Sequence, residues 1–171
     1  EPDIVVLTGM TAFYNIAIGQ SSLTANIAGA SNVAVGYEAL KASTVSNNTA
    51  LGYQALQANT TASHNVSVGY LALALNTTGT YNTAVGAYAL DANTTANSNV
   101  AVGYTALTTN STGASNVAVG YGSLYDNTTG ASNTSLGNEA MQNNTTASFN
   151  VAVGVDALYT NTTGAYNVAV G

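Results

Sequence analysis

The sequence predicts an all-β fold, a parallel β-solenoid of about ten 17-residue coils. Three observations predict it: Asn-Val-Ala-Val-Gly or a close variant recurs along the chain, its last glycine returns every 17 residues with one interval of 16, and turn residues separate the copies. A solenoid stacks equivalent positions of successive coils, so it requires this register. The recurring glycines are Gly19, Gly36, Gly52, Gly69, Gly86, Gly103, Gly120, Gly137, Gly154 and Gly171.

The apolar motif of each copy is predicted to be a β-strand. In Asn32–Gly36 the valines alternate with Asn, Ala and Gly, which is the period-two pattern of a strand. Val33 and Val35 are expected to fill the core together with Leu40, leaving Asn, Ala and Gly on the opposite face. Small residues on an outer face would let another chain approach closely, so this assignment predicts lateral packing of several copies.

The rest of each coil is predicted from its turn chemistry. Tyr-x-Ala-Leu after the glycine is expected to be a second short extended piece. Asn-Thr-Thr-Gly is expected to be a turn, in which Asn bonds the nearby backbone and Gly adopts a positive φ. The one short coil loses its residue within the connection 41–47, where a loop tolerates deletion. The residues predicted to form the structural ladders are Asn32, Gly36, Asn65, Gly69, Asn99, Gly103, Asn116 and Gly120.

Two parts are expected along the chain: an N-terminal cap or assembly segment over residues 1–13 and the repeat solenoid over residues 14–171. The first part contains an apolar run outside the strict repeat, Ile4, Val5, Val6 and Leu7. These four residues could add a strand to the last coil of a neighbouring copy and so build a filament. The alternative is that they cap the first coil of their own chain.

The composition excludes several classes of partner. Lys41 is the only basic residue besides His64, and the formal net charge is −6. Binding to nucleic acid backbones or to anionic membrane surfaces requires clusters of Lys and Arg, so neither is expected. No apolar run approaches the roughly 20 residues of a transmembrane helix, so the protein is not expected to be embedded in a membrane.

The residue pattern offers no catalytic constellation, and we expect no enzyme, no cofactor and no metal. His64 occupies a variable, solvent-facing repeat position, and Ser and Thr have no base beside them to activate a nucleophile. Glu139 and Asp156 would stack in adjacent coils, but a Ca²⁺ site needs more oxygen ligands. An ice-binding face is disfavoured because adjacent threonines, such as Thr60 and Thr61, would point to opposite sides of a strand.

Two surface ladders are candidates for binding or modification. The aromatic ladder is a packing feature or a stripe that binds carbohydrate or a partner, and it consists of Tyr37, Tyr53, Tyr70, Tyr104 and Tyr121. Asn-x-Ser/Thr, the acceptor sequence of N-linked glycosylation, repeats in the turns. The possible glycosylation sites are Asn59, Asn76, Asn93, Asn110, Asn127, Asn144 and Asn161. The threonines of the same turns could carry O-linked sugar, and the alternative is turn chemistry alone.

The repeat Asn-Val-Ala-Val-Gly, with variants 15–19 and 65–69, resembles the head repeat of YadA-like trimeric autotransporter adhesins and the related repeats of phage and viral tail fibres. The resemblance covers about residues 14–171. It implies a left-handed β-roll, three chains side by side, and exposure on a cell or virion surface. The adhesin head has a shorter repeat and a Ser where this chain has Leu.

The sequence therefore predicts an extracellular structural or adhesive fibre segment. Its expected partner is itself, with a cell-surface receptor or glycan as a further possibility. The alternatives are a subunit of an end-to-end, glycosylated extracellular filament, and a carbohydrate-binding or ice-binding solenoid.

Overall fold

The computed structural model describes residues 11–171, which form a single parallel sheet wound as a solenoid. Each coil contributes one three-residue strand, which pairs in register with the strand of the preceding coil. No helix occurs in residues 11–171. The strands β1 to β10 are Ile16–Ile18, Val33–Val35, Thr49–Leu51, Val66–Val68, Thr83–Val85, Val100–Val102, Val117–Val119, Thr134–Leu136, Val151–Val153 and Val168–Val170. The predicted fold class, the strand position and the coil length are confirmed.

The interior of the solenoid is lined by small residues and one large apolar residue per coil, which is leucine except at Met141. Ala34, Ala39 and Leu40 have no exposed surface, and the same positions are buried in the other inner coils. The predicted orientation of the strand was wrong: Val33 and Val35 point outward, and Ala34 between them points inward. A coil this narrow has room inside for an alanine opposite the leucine but not for two valines as well.

The segment after each strand is a turn, so the predicted second extended piece was wrong. In Tyr37–Leu40 the second and fourth residues have left-handed backbone conformations, with φ of 54° at Glu38 and 50° at Leu40. Two left-handed residues separated by one other turn the chain sharply. This turn directs Ala39 and Leu40 into the core in the space of four residues.

The glycine that ends each strand is required by the spacing between coils. Gly69 has φ +138°, and a Cβ placed there would lie 2.6 Å from the carbonyl oxygen of Gly86 in the next coil. Only a residue without a Cβ permits this approach, because both the backbone angle and the contact exclude a side chain. The predicted bend with positive φ at this position is confirmed.

The Asn-Thr-Thr turn is held by its asparagine, as predicted. The Nδ2 of Asn76 donates to the carbonyl of Gly79 three residues later at 2.9 Å. The glycine of this turn does not have the predicted positive φ, and Ala62 and Ala96 occupy the same place in other coils. The short coil loses its residue in this connection, between Thr44 and Val45, as expected from loop tolerance.

The candidate assembly residues Ile4, Val5, Val6 and Leu7 lie outside the described residues, as does most of the segment 1–13. Within residues 11–171, no helix is long and apolar enough to cross a membrane.

Candidate assembly face and surface ladders

The outward side chains of the ten strands form one continuous surface, which we call the valine face. Each strand presents its first and third residues outward, so the face has two positions per coil. It consists of Ile16, Ile18, Val33, Val35, Thr49, Leu51, Val66, Val68, Thr83, Val85, Val100, Val102, Val117, Val119, Thr134, Leu136, Val151, Val153, Val168 and Val170. All but three of these residues are aliphatic. At about 4.8 Å per coil, the face is about 43 Å long.

The valine face is partly exposed along its whole length. Val85 and Val119 have 36% and 37% of their surface exposed, and Ile16 has 51%. Soluble monomers rarely expose a continuous apolar patch larger than a few hundred Å², and a larger one marks an interaction surface. The valine face is therefore the strongest candidate for a contact with another molecule among residues 11–171.

The small-residue face that was predicted to bring chains together lies inside the solenoid. Asn32 and Ala34 have no exposed surface, so neither can contact a second chain. The prediction of lateral contact through Asn, Ala and Gly was wrong in its choice of face. The error follows directly from the reversed strand orientation.

The strand asparagines form a buried ladder along the rod, as the sequence predicts for Asn32, Asn65, Asn99 and Asn116. The Oδ1 of Asn99 accepts a hydrogen bond from the backbone N–H of Asn116 at 2.9 Å. The Nδ2 of Asn99 donates to the carbonyl of Gly113 at 2.9 Å. Each asparagine thus satisfies a backbone donor of the next coil and a backbone acceptor of the adjoining turn, which fixes the register.

The turn asparagines form a second buried ladder. Nδ2 of Asn93 donates to Oδ1 of Asn76 at 2.9 Å and to the carbonyl of Ala96 at 3.1 Å. Six of the seven possible glycosylation sites have no exposed surface: Asn59, Asn76, Asn93, Asn110, Asn127 and Asn144. The nitrogen that would carry a sugar is enclosed and already bonded in these six, so the folded coils leave no room for an N-linked glycan there. Asn161 is partly exposed and remains a predicted site.

The tyrosine ladder is made of rings stacked on each other. Tyr53 lies between Tyr37 and Tyr70 with ring centroids 5.2 Å apart on both sides and planes 13° apart. Tyr104 and Tyr121 stack in the same way at 5.7 Å. Inner rings of a stack present only their edges to solvent, whereas sugar binding uses ring faces. This geometry favours packing over a carbohydrate-binding stripe.

The ladder continues through a coil that lacks the tyrosine at this position. Ala87 stands there, and Tyr88, the next residue, makes edge contacts with Tyr70 at 5.3 Å and with Tyr104 at 6.1 Å. Tyr88 was not among the predicted ladder residues, because it is displaced by one position from the repeat. Its place directly after an alanine in the tyrosine position was the only signal in the sequence.

His64 is exposed, as its variable repeat position predicts, and stacks on Tyr81 at 5.1 Å. Its Nδ1 lies 3.0 Å from the Oγ of Ser63. Within the described part of the chain, no group of three or more His, Cys, Asp or Glu side chains could hold a metal ion.

The one ion pair of residues 11–171 joins Glu38 and Lys41 at 2.5 Å. The Nε2 of Gln54 donates to the other carboxylate oxygen at 2.8 Å, and Gln57 donates to the same oxygen. The hydrogen bond from Lys41 is the main reason that the pKa of Glu38 lies below its ordinary value. Lys41 is exposed whereas the Glu38 side chain is only 11% exposed, and the group links neighbouring coils.

Comparison of the chain with protein-family models, with curated protein sequences and with solved structures finds no match. The solenoid shape does not by itself identify the adhesin-like family that the repeat resembles. The case for function therefore depends on the geometry of the repeat.

Proposed function

We propose that this chain is a segment of an extracellular structural fibre in which copies pack side by side through the valine face. The observation that supports the proposal is the continuous, partly exposed aliphatic surface along one side of a regular rod. Its role is mechanical: in-register backbone and asparagine ladders make a stiff spacer that holds one structure at a distance from another.

A second copy of the chain is the partner that fits the valine face best. The face repeats at the coil spacing over its whole length, and a second copy carries side chains at the same spacing, so the two sets can interdigitate. The surface carries no charged side chain to pair with a charged partner. The valine face contains threonine at positions 49, 83 and 134, so the fold accepts a polar residue on this face. Coil stacking alone therefore does not require the aliphatic residues at its other positions.

We infer a trimer from the resemblance of the repeat to YadA-like heads, and the geometry supports lateral contact without fixing the number of copies. Exposure on a cell or virion surface follows from the same resemblance. The low content of charged residues, 5% of the chain, is compatible with a neutral hydrated surface on the remaining sides of the rod.

The proposal is tested by the oligomeric mass in solution of the wild-type chain and two double variants, measured by analytical ultracentrifugation. Val85→Lys with Val119→Lys places two charges on the valine face, at partly exposed positions that do not enter the core. We expect monomers with an unchanged far-UV circular dichroism spectrum. The matched control, Thr95→Lys with Thr112→Lys, adds the same charges at the exposed turn and should keep the wild-type number of copies per particle.

A wild-type chain that sediments as a monomer at micromolar concentration would overturn the lateral contact. Equal loss of assembly in both double variants would show that charge, and not the valine face, controls association. The end-to-end filament predicts open-ended polymers instead of rods of one length. Electron microscopy of the isolated protein distinguishes these two forms.

A further inference from the structure

Each Asn-Thr-Thr turn offers three polar side chains, and the fold uses two of them. The asparagine is buried and bonded as described above. The first threonine donates its hydroxyl to the next coil: Oγ1 of Thr77 bonds the carbonyl of Thr94 at 3.0 Å, and Oγ1 of Thr128 bonds that of Thr145 at 3.0 Å. Both groups are therefore part of the ladders that hold successive coils together.

In five of the seven turns the first residue, Thr or Ser, is half-buried and donates its hydroxyl to the next coil. Thr60 is exposed but bonded in the same way, and Thr162 in the last turn is exposed and its hydroxyl is unbonded. The second threonine is the same in all seven turns. Its side chain is exposed, and its hydroxyl makes no hydrogen bond within residues 11–171. These residues are Thr61, Thr78, Thr95, Thr112, Thr129, Thr146 and Thr163. They form a single row of free hydroxyl groups spaced by about 4.8 Å along one edge of the rod.

The fold does not require threonine at this position. Ala28 occupies it in an early coil, where it is exposed. The short coil lacks the position altogether. Its Thr44 corresponds to a first threonine, because the Oγ1 donates to the carbonyl of Thr60 in the next coil. The residue that follows, Val45, already corresponds to the turn glycine, because its carbonyl accepts from the Nδ2 of Asn32 as the carbonyl of Gly79 accepts from Asn65. A side chain that contributes nothing to stacking, yet recurs in seven consecutive coils, points to a role on the surface.

We propose that these seven threonines are O-glycosylation sites, which form a row of neutral sugars along the edge of the rod. The assignment extends the proposed extracellular fibre role and rests on it for exposure outside the cell. The proposed attachment point is thus the threonine hydroxyl two residues after the turn asparagine, and not the asparagine nitrogen. The asparagine nitrogens are enclosed, whereas these hydroxyl groups are exposed and make no hydrogen bond.

The modifying step is an ordinary glycosyl transfer by a separate transferase. The threonine Oγ1 attacks the anomeric carbon of an activated sugar, a nucleotide-diphosphate or lipid-diphosphate sugar. The new bond joins Oγ1 to that carbon, the bond from the carbon to the phosphate oxygen breaks, and the diphosphate leaves with the electron pair. The hydroxyl proton passes to a base of the transferase.

A neutral hexose or N-acetylhexosamine fits this row better than phosphate does. Phosphate groups at neighbouring positions would repel each other, and Lys41 is the only lysine or arginine in the chain that could compensate them. Neutral sugars can occupy adjacent coils without that repulsion, and they would hydrate a surface that has few charges.

The test is site mapping on the protein purified from the cells that produce it. After denaturation and chymotrypsin digestion, the fragment 76–81 contains all candidates of one turn: Asn76, Thr77, Thr78 and Thr80. We expect electron-transfer fragmentation to place a hexose or N-acetylhexosamine increment on Thr78, and alkaline β-elimination to remove it. Equivalent fragments of the other turns should carry the increment at the second threonine.

Unmodified fragments, or an increment on Asn76 or Thr77, would overturn the assignment. Two variants expressed in the same cells give a matched check: Thr78→Ala should abolish the increment in that fragment, and Thr80→Ala should leave it. Ala28 shows that alanine is compatible with the second position, so loss of folding does not complicate the result. Oligomeric mass is a separate measurement, so failure of the glycan row and failure of lateral packing are distinguishable.

Discussion

Substituting alanine for Gly69 tests whether the spacing between coils determines the glycine requirement. The new Cβ would lie 2.6 Å from the carbonyl oxygen of Gly86, and real Cβ contacts are essentially never shorter than 3.0 Å. The two coils must therefore separate locally by about 0.4 Å. Two inter-coil hydrogen bonds of 2.8 Å lie beside this contact: the N–H of Gly69 donates to the carbonyl of Leu51, and the N–H of Gly86 donates to the carbonyl of Val68.

The expected cost has two parts. An alanine at φ +138° is strained by about 1–2 kcal/mol, because residues with a side chain rarely adopt this backbone conformation. Weakening one or two inter-coil hydrogen bonds adds about 1 kcal/mol each. We expect Gly69→Ala to lower the free energy of unfolding by about 2–4 kcal/mol.

Gly122 provides the matched control. It also has a positive φ, +58°, but a Cβ placed there would have its nearest neighbours at 3.5 Å, an ordinary contact distance. Leu71, Thr105 and Glu139 hold the equivalent position in other coils with φ near 54°. Gly122→Ala is therefore expected to lower the free energy of unfolding by only about 1 kcal/mol, because backbone strain of about 1–2 kcal/mol is partly offset by the reduced entropy of the unfolded chain and no close contact is added.

Equilibrium urea unfolding, followed by far-UV circular dichroism at one protein concentration, compares the two variants with the wild type. Hydrogen exchange should also show faster exchange at the amides of residues 69 and 86 in Gly69→Ala alone. Equal destabilisation by the two substitutions would refute the reasoning, because it would show that positive φ in general, and not the approach of adjacent coils, sets the requirement.

Five further substitutions have specific expected outcomes. Asn144→Ala should lower the free energy of unfolding in urea by about 2–4 kcal/mol, because it removes three hydrogen bonds of a buried side chain. Asn143→Ala is the control and should be nearly neutral, because the side chain of Asn143 makes no hydrogen bond. Ser22→Ala should raise the thermal midpoint, since this buried hydroxyl has no partner, and Ser123→Ala should lower it because it breaks a 2.7 Å bond to a second buried serine. Asp91→Asn should stabilise the protein modestly at pH 7. Burial raises the pKa of the Asp91 carboxyl, so the charged carboxylate opposes folding at a pH above the ordinary pKa of aspartate. The difference in stability from the wild type should disappear as the pH falls below that ordinary pKa.

The regular part of the fold was predictable because a solenoid repeats its physical requirements in every coil. The glycine at Gly69 and the leucine at Leu73 return in register, and the turn chemistry of Asn76 is local. The orientation of the strand was not predictable from hydrophobicity alone. The alternation of residue types along the strand identifies two faces but does not say which one points inward. Valine is more apolar than alanine and is therefore predicted to face the core, but the narrow interior accepts only a small residue.

A size pattern in the sequence carried the missing information about orientation. The central strand position is only Ala or Ser, as at Ala50 and Ser67, whereas the flanking positions include Ile, Leu, Val and Thr. A position that never exceeds serine in size indicates a steric limit, which is typical of a tight interior. The same reversal explains why the sequence placed the contact surface on the wrong face. The burial of the turn asparagines depends in turn on how closely the coils stack, which the acceptor motif does not encode.

The buried amide ladder also gives the rod an electrical direction. Every bond between two asparagine side chains in the turn ladder points the same way, from the Nδ2 of Asn127 to the Oδ1 of Asn110 and from Asn110 to Asn93. The threonine hydroxyls of these turns donate in the opposite direction, as from Thr77 to Thr94. The backbone bonds of the parallel sheet run in both senses, whereas this column of amides has a donor end and an acceptor end. Each amide polarises the next, and a coil added to this column is favoured in only one orientation, donor side to acceptor side. Growth or docking along the axis would therefore be head to tail, and a reversed partner would bring like partial charges together.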